Sequence, residues 1–319
     1  MTPMQLLERA LQRWRTRHTE QPVQPESPLP AALPANTWQQ VVALDTLRTA
    51  WERVRGNAGV AGTDGQSVTQ FEAHLSRNLF RLQDDLRSGR YRPAPALRLW
   101  AGKASGGQRP LALFAVRDRV AQRAVCDVLT PFYERRFLEC SYGFRAGRSV
   151  KDAVNAIAHY RGRGLRHVVD GDIAQFFERV DHEILLGLLG RDIYDTRLIQ
   201  LIRMWLQARV LNEMRPAPIS AHMGTPQGAV ISPLLSNIYL HPFDEALTQR
   251  GLALVRYADD WVILCKNQVT AETALQIAEE TLARLRLTLN PRKTKLKTFE
   301  QGFSFVGTFF VRNKQYLVK

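Results

Sequence analysis

A chain of 319 residues, 45% of them hydrophobic, can bury a large core, which excludes a mini-protein stapled by disulfides and predicts one elaborate domain or two closely joined subdomains. The formal charge of +14 makes nucleic acid the first candidate partner, because neutralised phosphates release counterions; a solvated basic surface is the alternative. The sequence shows no signal-peptide pattern and no run of about 18 apolar residues, so we expect a cytoplasmic protein without membrane contact.

The three cysteines, Cys126, Cys140 and Cys265, have no CxxC spacing and lie in apolar segments. This pattern predicts buried, reduced thiols rather than a zinc site.

The first half of the chain reads as helices interrupted by one basic hairpin. Residues 1–35 combine a basic amphipathic helix with a proline-rich linker. Between later helices, two β-prone runs flank a glycine-rich turn that carries Lys103 and Arg109. Helical patterns cover Thr37 to Gly56 and the segments at about 69–88, 117–139 and 149–163.

The second half alternates strands with helices. The run "RHVVDGDI" predicts a strand, and the elements after it are helices over about 181–208, a short strand pair, a helix at 232–250, a hairpin, a helix at 270–286 and a strand near 303–311. This order predicts an α+β fold in which a central antiparallel sheet is backed by helices packed on one face.

Two neighbouring carboxylates stand between two apolar, β-prone runs in "LALVRYADDWVILC". Side chains alternate faces along a strand, so adjacent aspartates can serve one site only at a turn, which places Ala258, Asp259 and Asp260 at a hairpin tip. Two acids there repel each other unless a cation neutralises them, and oxygen ligands of this kind suit Mg²⁺. For the dipeptide alone, a solvated turn is the alternative.

A third acid, Asp172, ends the predicted strand of "HVVDGDIAQFFERVDHE". If this strand pairs beside the hairpin, Asp172 and Asp259 converge on one end of the sheet. Two divalent ions about 4 Å apart would there activate a 3′-hydroxyl and stabilise a leaving pyrophosphate. Asp170 is expected to point to the opposite side, as a structural or solvated acid.

The C-terminal segment is locally basic. Residues 284–319 hold nine basic side chains and one acid, Glu300. Charge this concentrated predicts a binding face for a polyanion.

Eight segments, in order, resemble the reverse transcriptases of the group II intron-like lineage, which include enzymes encoded in CRISPR loci. A lone "YADD" is a weak signal, whereas the ordered set is specific. The segments are "GTDGQSV", "GQRPLALFAVRDRVAQRAVCDVLTPFYERRF", "SYGFRAGRSVKDAV", "DGDIAQFFERVDHEIL", "GTPQGAVISPLLSNIYLHPFDEAL", "RYADDWVILC", "LRLTLNPRKTKL" and "GFSFVGTFF".

The resemblance implies a right-hand polymerase with fingers and palm. The fingers would occupy residues 36–165 and the palm, with its catalytic carboxylates, residues 166–300. Residues 301–319 would form a primer-grip-like hairpin at the end of the palm, with no evident thumb.

The same resemblance implies a metal site. Asp172 and Asp259 match the two principal ligands of two Mg²⁺ ions, or of Mn²⁺ in their place. Ile173 would lend a backbone carbonyl, and Asp260 matches a more peripheral acid.

Lysine and phenylalanine positions are also implied. Lys295 falls where the family carries a lysine that assists protonation of pyrophosphate, and its neighbour Lys293 is the alternative. Phe177 stands where the family places an aromatic gate against the sugar 2′-hydroxyl, with core packing as its alternative and as the expected role of Phe176.

Substrate contacts complete the resemblance. Gln227 and Gly228 match the platform under the incoming nucleotide and the template. Lys103 and Arg109 match finger residues that close on the triphosphate. The other two predicted contacts, with the template backbone, are Arg145 and Arg148.

The implied function is an RNA-directed DNA polymerase that adds deoxynucleotides to a DNA or RNA primer on an RNA template. The segments look most like the CRISPR-associated enzymes, which would copy RNA to supply spacers to an integrase complex in a prokaryotic cytoplasm, as part of antiviral defence. The alternatives are a free-standing enzyme of DNA repair or phage defence, an intron maturase, an RNA-directed RNA polymerase of similar palm design, and a non-catalytic RNA-binding scaffold.

Overall fold

The helices and strands follow the periodicity of the apolar residues. A computed structural model describes residues 32–57, 60–102, 108–211, 216–217 and 222–318. The predicted N-terminal helix and most of its linker, together with Lys103, lie outside the described residues. The helices are α1 Thr37–Val41, α2 Leu44–Arg55, α3 Val68–Ala73, α4 Leu75–Arg87, α5 Val116–Glu134, α6 Val150–Gly162, α7 Phe176–Arg179, α8 His182–Gly190, α9 Thr196–Leu206, α10 Ser232–Thr248 and α11 Gln268–Arg284. The strands are β1 Ala96–Gly102, β2 Gln108–Leu113, β3 His167–Asp172, β4 Val210–Leu211, β5 Pro216–Ala217, β6 Ala253–Tyr257, β7 Asp260–Cys265, β8 Lys295–Thr298, β9 Phe303–Phe305, β10 Thr308–Val311 and β11 Lys314–Leu317.

The described chain divides into two compact units. The first unit contains residues 32–135 and 181–235, and the second contains residues 136–180 and 236–318. The ranges predicted for fingers, 36–165, and palm, 166–300, do not coincide with these units, and the assignment of those names to stretches of the chain stays a prediction.

The first unit is mainly helical, and several of its helices bury one apolar stripe. In α2, Leu47 and Trp51 are fully buried, and the Trp51 ring stacks on that of Phe71 in α3 at 4.9 Å between centroids. The predicted basic hairpin is present as antiparallel β1 and β2, within a sheet of order β2-β1-β4-β5.

The second unit is built on a four-stranded antiparallel sheet of order β6-β7-β3-β8, as predicted. Val262 of β7 packs with Ala153 and neighbouring apolar residues of α6. The next residue back, Trp261, contacts Phe243 of α10 at 5.3 Å between ring centroids. Because adjacent strand residues point to opposite faces, helices cover both faces of the sheet, not the single face that we expect from sequence.

The continuous apolar run of β7 is the local signal for this two-sided burial. Every residue from Trp261 to Cys265 is buried, whereas a strand with one open face would alternate apolar and polar residues. A second small sheet, of order β11-β10-β9, adds Phe303, Phe305 and Phe310 to the core on the α6 side.

Two predictions about the environment can be compared with the fold. Cys126, Cys140 and Cys265 are buried free thiols, as predicted. Across the described ranges, no helix combines the length and the apolar character needed to span a membrane.

Candidate active site

The β6–β7 hairpin carries the paired aspartates at its turn. Tyr257 pairs with Asp260, so Ala258 and Asp259 form a two-residue turn. Asp260 is the first residue of β7, which corrects its predicted place at the tip. Ala258 has a φ of +58°, a left-handed conformation that strains a residue with a Cβ and persists only when the surroundings hold it.

Arg256, the residue immediately before "YADD", stabilises this turn conformation. Its side chain is fully buried, and its guanidinium donates to both carboxylate oxygens of Asp244, with Nε to Oδ1 at 2.6 Å. Its other N–H groups donate to the Ala258 carbonyl at 2.9 Å, to Asn237 Oδ1 at 3.0 Å and to Ser141 Oγ at 2.8 Å. Since all five guanidinium donors are used, Arg256 fixes the turn to α10 and to the segment before α6.

That preceding segment lies directly against the turn. The backbone N–H of Tyr142 donates to the Arg256 carbonyl at 2.8 Å, and the Arg256 N–H donates to the Cys140 carbonyl at 2.8 Å. A Cβ on Gly143 would come within 2.3 Å of the Ala258 nitrogen, so glycine is required there. Part of "SYGFRAGRS" therefore supports the aspartate turn.

Strand β3 lies beside β7 and brings the third acid to the same place. Asp172 is opposite Asp260 in the antiparallel register, so Asp172, Asp259 and Asp260, which we call the carboxylate cluster, meet at one end of the sheet. A Cβ on Gly171 would lie 2.1 Å from the Trp261 ring, which explains the glycine of "DGD". The predicted convergence of Asp172 with the hairpin acids is confirmed.

Two members of the carboxylate cluster, Asp259 and Asp260, hold their protons more strongly than free carboxyl groups do. Burial first, and then the charge of Asp172, raises the pKa of Asp259. Loss of hydration, followed by the charges of Asp259 and Asp172, raises the pKa of Asp260 to about 6. Part of the Asp260 residue is nevertheless exposed to solvent. The cluster therefore carries more negative charge than its protein surroundings offset.

Among the described residues, Lys293 is the cation bonded to the cluster. Its Nζ lies 2.8 Å from Oδ1 of Asp172, and this hydrogen bond raises the pKa of Lys293. In the register of β3 and β8, the backbone of Lys295 lies opposite that of Asp170. Within the described chain, the Lys295 side chain makes no hydrogen bond to the cluster. The structure thus brings to the carboxylates the lysine that sequence treats as the alternative.

Asp170 lies on the same face of β3 as Asp172. Residues two apart on a strand share a face, so the expectation that it points to the opposite side is wrong. Its Oδ2 lies 3.5 Å from the Nζ of Lys297, and burial raises its pKa. Its expected structural role holds, since Lys297 pairs with it.

The cluster residues fit a hard divalent cation such as Mg²⁺. Asp172 and Asp259 offer carboxylate oxygens, and the Ile173 carbonyl accepts no backbone hydrogen bond in the described chain, because the bridge to Leu289 uses the carbonyls of Asp172 and Thr288. Among the same residues, no three His, Cys, Asp or Glu side chains are arranged to hold a metal by themselves. Mg²⁺ commonly binds one or two carboxylates and completes its shell with water and substrate phosphates, so this set is sufficient.

Two adjacent phenylalanines follow the catalytic strand, in α7. Phe176 is 2% exposed and packs edge-to-face on Tyr239 at 6.3 Å between centroids, which confirms its core role. Phe177 is half-buried and touches the Phe176 ring at 5.2 Å. Its assignment as the sugar gate stays a prediction.

The predicted nucleotide loop lies in the first unit. The Gln227 carbonyl accepts from the N–H of Ala112 in β2 at 2.5 Å. Gly228 has a φ of +99°, and a Cβ there would lie 3.0 Å from the Ala112 carbonyl oxygen. The same strand, β2, carries Arg109. Nucleotide binding by Arg109, Gln227 and Gly228 stays a prediction, and the same prediction for Lys103 falls outside the described residues.

The two arginines predicted to grip the template differ in the structure. Arg145 is 5% exposed, and its Nη1 donates to the carbonyls of Leu138 at 2.7 Å and Ser141 at 2.9 Å. A buried cation must satisfy its donors inside the fold, so Arg145 orders its loop, and its template contact stays a prediction. Arg148 is partly exposed and pairs with Glu139 at 2.6 Å, and its template contact stays a prediction.

Sequence reasoning missed Arg256 and Asp244. A charged residue inside the apolar run "LALVRY" was the available signal for Arg256, because a cation in a buried strand requires a partner. Asp244, twelve residues earlier, lies on a helix with no local mark that distinguishes it from a surface acid.

Comparison with known proteins identifies the family to which the chain belongs. The family described as reverse transcriptase (RNA-dependent DNA polymerase) matches residues 101–310. Protein YkfC of Escherichia coli (strain K12) is 34% identical over 301 residues, which cover 81% of this chain and 77% of YkfC. The group II intron-encoded protein LtrA of Lactococcus lactis subsp. cremoris is 35% identical over 206 residues, 64% of this chain and 34% of LtrA. A chain of the partial Cas6-RT-Cas1–Cas2 complex is 26% identical, covers 77% of this chain and 42% of its own length, and superposes with a TM-score of 0.47.

Proposed function

Because the chain belongs to the reverse transcriptase (RNA-dependent DNA polymerase) family, we propose that it extends the 3′ end of a DNA or RNA primer with deoxynucleotides on an RNA template, with Asp172 and Asp259 holding two Mg²⁺ ions. One observation carries the proposal: the antiparallel register that sets Asp172 opposite Asp260 and next to the turn residue Asp259. Acids from two strands meet there with a single lysine bonded to them among the described residues, an arrangement that favours binding of cations.

The residues around the cluster divide the work of such a reaction. When bound, the two cations would lower the pKa of the primer 3′-hydroxyl and offset charge on the leaving pyrophosphate. Arg256 holds the turn that presents Asp259. Lys293 keeps a proton at Nζ beside the cluster and is the better candidate than Lys295 to deliver it to pyrophosphate. Phe177 would exclude a 2′-hydroxyl by volume.

Primer extension on an RNA template, with deoxynucleotides and Mg²⁺, tests the proposal. Asp259→Asn keeps the size of the side chain and removes a ligand charge, so activity should fall at least ~10³-fold while the variant stays folded. Asp170→Asn is the matched control, since this acid lies on the same strand face but pairs with Lys297, and it should keep most of the activity. Equal loss in both variants would refute the assignment of the ligands.

The same assay separates the alternatives of other classes. A folded wild-type protein that binds RNA but extends no primer would be the non-catalytic scaffold. Extension with ribonucleotides in preference to deoxynucleotides would indicate an RNA-directed RNA polymerase.

The narrower function that we propose is copying RNA for CRISPR spacer acquisition, beside an integrase in a prokaryotic cytoplasm. The order and style of the motifs motivate it, while the likeness to LtrA supports an intron-related enzyme as the alternative. The test is whether integrase genes flank the coding sequence and whether the purified integrase binds this chain. A gene without such neighbours would leave the polymerase function intact and remove the CRISPR role.

A further inference from the structure

A basic surface lies at the end of the second unit that is remote from the carboxylate cluster. We call it the basic end face and define it by Arg161, Arg163, Arg166, Arg312 and Lys314. The Arg161 guanidinium donates to the carbonyls of Arg312 at 3.5 Å and Lys314 at 3.3 Å. Arg166 donates to Asn313 Oδ1 at 2.9 Å. The C-terminal end of α6 and the β10–β11 turn therefore form one continuous surface.

The basic end face is poorly neutralised by its own chain. Arg163, Arg166, Arg312 and Lys314 are exposed. Glu300, which lies 3.2 Å from Arg312, is the acid that pairs with the face within the described residues. Burial first, and then the charge of Arg166, lowers the pKa of Arg161, so the cations crowd one another. An anion bound here would relieve this repulsion.

The position of the face separates it from the site of synthesis. Arg166 immediately precedes β3, whose other end carries Asp172. The six residue steps from Arg166 to Asp172 span about 20 Å in an extended strand, so a strand of nucleic acid at the cluster does not reach the face unless it continues past the site. The face is therefore distinct from the ligands of the reacting phosphates.

We propose that the basic end face binds the phosphodiester backbone of a single-stranded nucleic acid outside the polymerase site. Tyr316, two residues from Lys314 on β11, shares its strand face and is 50% exposed, so a base can stack beside the phosphate contacts. An acidic protein segment would use the cations but not the exposed ring. The proposal rests on the proposed function only in making the bound strand a template or product; the binding itself requires no catalysis.

The test measures binding without synthesis. A labelled 40-nucleotide oligo(U) is titrated with the full chain in EDTA, without primer or deoxynucleotides, at a series of salt concentrations. The variant Arg163→Gln/Lys314→Gln removes two exposed charges and leaves in place the Arg161 contacts, which use the Lys314 backbone and the Phe299 ring. The control Arg77→Gln/Lys151→Gln removes two exposed helical charges elsewhere.

The expected result is a smaller salt dependence for the first variant alone. Each neutralised phosphate of a single strand contributes about 0.7 to the slope of log K against log salt, so two lost contacts should lower the slope by about 1.4. If the variant and the wild type bind equally at 1 M salt, this difference in slope makes the variant bind about 25-fold more weakly than the wild type at 0.1 M salt. A 40-nucleotide DNA arm identifies the strand: equal loss supports backbone recognition in both, and loss with RNA alone assigns the face to the template.

Three results would overturn the proposal. The first is a wild-type slope in Arg163→Gln/Lys314→Gln, and the second is equal loss in the control, which would trace binding to net charge. The third is competition by poly-glutamate that matches unlabelled oligo(U) for the wild type and is lost in the variant, which would assign the face to an acidic protein. Primer extension on a short duplex is run in parallel: it should be unchanged in the variant, and its absence in all proteins would refute the polymerase function without touching this binding result.

Discussion

Acids in the second unit are neutralised in two opposite ways. Asp244 is fully buried, and both of its oxygens accept hydrogen bonds from the equally buried Arg256. The carboxylate cluster, in contrast, holds three acids against one lysine, Lys293, bonded to them in the part of the chain that the structure describes, and burial raises the pKa of Asp259 and Asp260. Burial by itself therefore does not mark a functional acid; an incomplete set of partners does.

The difference also separates what each group does for the fold. The Asp244–Arg256 pair joins α10 to the aspartate turn and leaves no donor of the guanidinium unused. The cluster works against folding, because its like charges repel until a cation arrives. The two groups should therefore respond in opposite directions when one acid is removed.

Removing the structural acid should have the largest effect. Asp244→Asn leaves the buried Arg256 without its countercharge, and breaking a buried pair in this way typically costs about 3–5 kcal/mol of unfolding free energy. Urea denaturation followed by circular dichroism measures it. Asp259→Asn is the control and should leave stability unchanged or slightly raised, since it removes repulsion. A loss below about 1 kcal/mol in Asp244→Asn would break the comparison.

Asp118, in the first unit, is an intermediate case and makes a prediction about pH. It is 1% exposed, and it accepts hydrogen bonds from the Tyr91 hydroxyl at 2.6 Å and the Ala94 N–H at 2.9 Å. Burial nevertheless raises its pKa from 3.8 to about 6. The two hydrogen bonds and the nearby charge of Arg117 thus offset only part of the cost of burying this acid.

The raised pKa of Asp118 determines whether the unfolding free energy rises or falls with pH. Between about pH 4 and pH 6 the folded state binds the Asp118 proton more tightly than the unfolded state does, so stability falls as pH rises through this window and stays lower above it. Two pKa units correspond to at most about 3 kcal/mol. Urea denaturation of wild type and Asp118→Asn at pH 4.5 and pH 7 isolates the contribution as the pH dependence of their difference. A difference that does not change with pH would contradict the raised pKa.

Sequence patterns were sufficient for β3, β6 and β7 and for the meeting of Asp172 with Asp259, but not for β8 and β11. Apolar β-prone runs on both sides of "ADD" and before "DGD" fix where the strands end, and strand ends are where the acids gather. The place of Asp260 was missed by one residue, because two-residue and three-residue turns leave the same local pattern.

The sequence could not determine which lysine bonds to Asp172. Lys293 and Lys295 are equivalent in a local reading, and only the register of β8 against β3 puts Lys295 opposite Asp170 while Lys293 reaches Asp172. A register shift of one residue would turn every side chain of β8 to the other face. The burial of Arg145 is also a long-range property, since its loop folds back on its own carbonyls.

Replacing the glycine beside the turn, Gly143, should give the next largest effect, a loss of polymerase activity. Gly143→Ala would place a Cβ 2.3 Å from the Ala258 nitrogen, so the turn that carries Asp259 must shift. Displacement of a catalytic group by about 1 Å can reduce turnover by about 10²-fold, which primer extension under saturating deoxynucleotide would detect. Gly187→Ala is the control, because a Cβ at this helical position meets no atom within 4 Å. Wild-type turnover in Gly143→Ala would show that Arg256 alone sets the turn.

The adjacent Phe176 and Phe177 repeat the contrast between a satisfied and an open side chain, with the smallest expected effect. Phe177→Ala should lower the preference for deoxynucleotides over ribonucleotides by at least about tenfold, because loss of the half-buried ring makes room for a 2′-hydroxyl, worth about 1.4 kcal/mol. Competing single-nucleotide incorporation measures this ratio. Phe176→Leu is the control: this ring packs on Tyr239, so the change should cost about 1 kcal/mol of stability and leave sugar choice unaltered. If sugar choice is the same in Phe177→Ala as in wild type, Phe177 packs like its neighbour, and selection against ribose depends on another part of the nucleotide site.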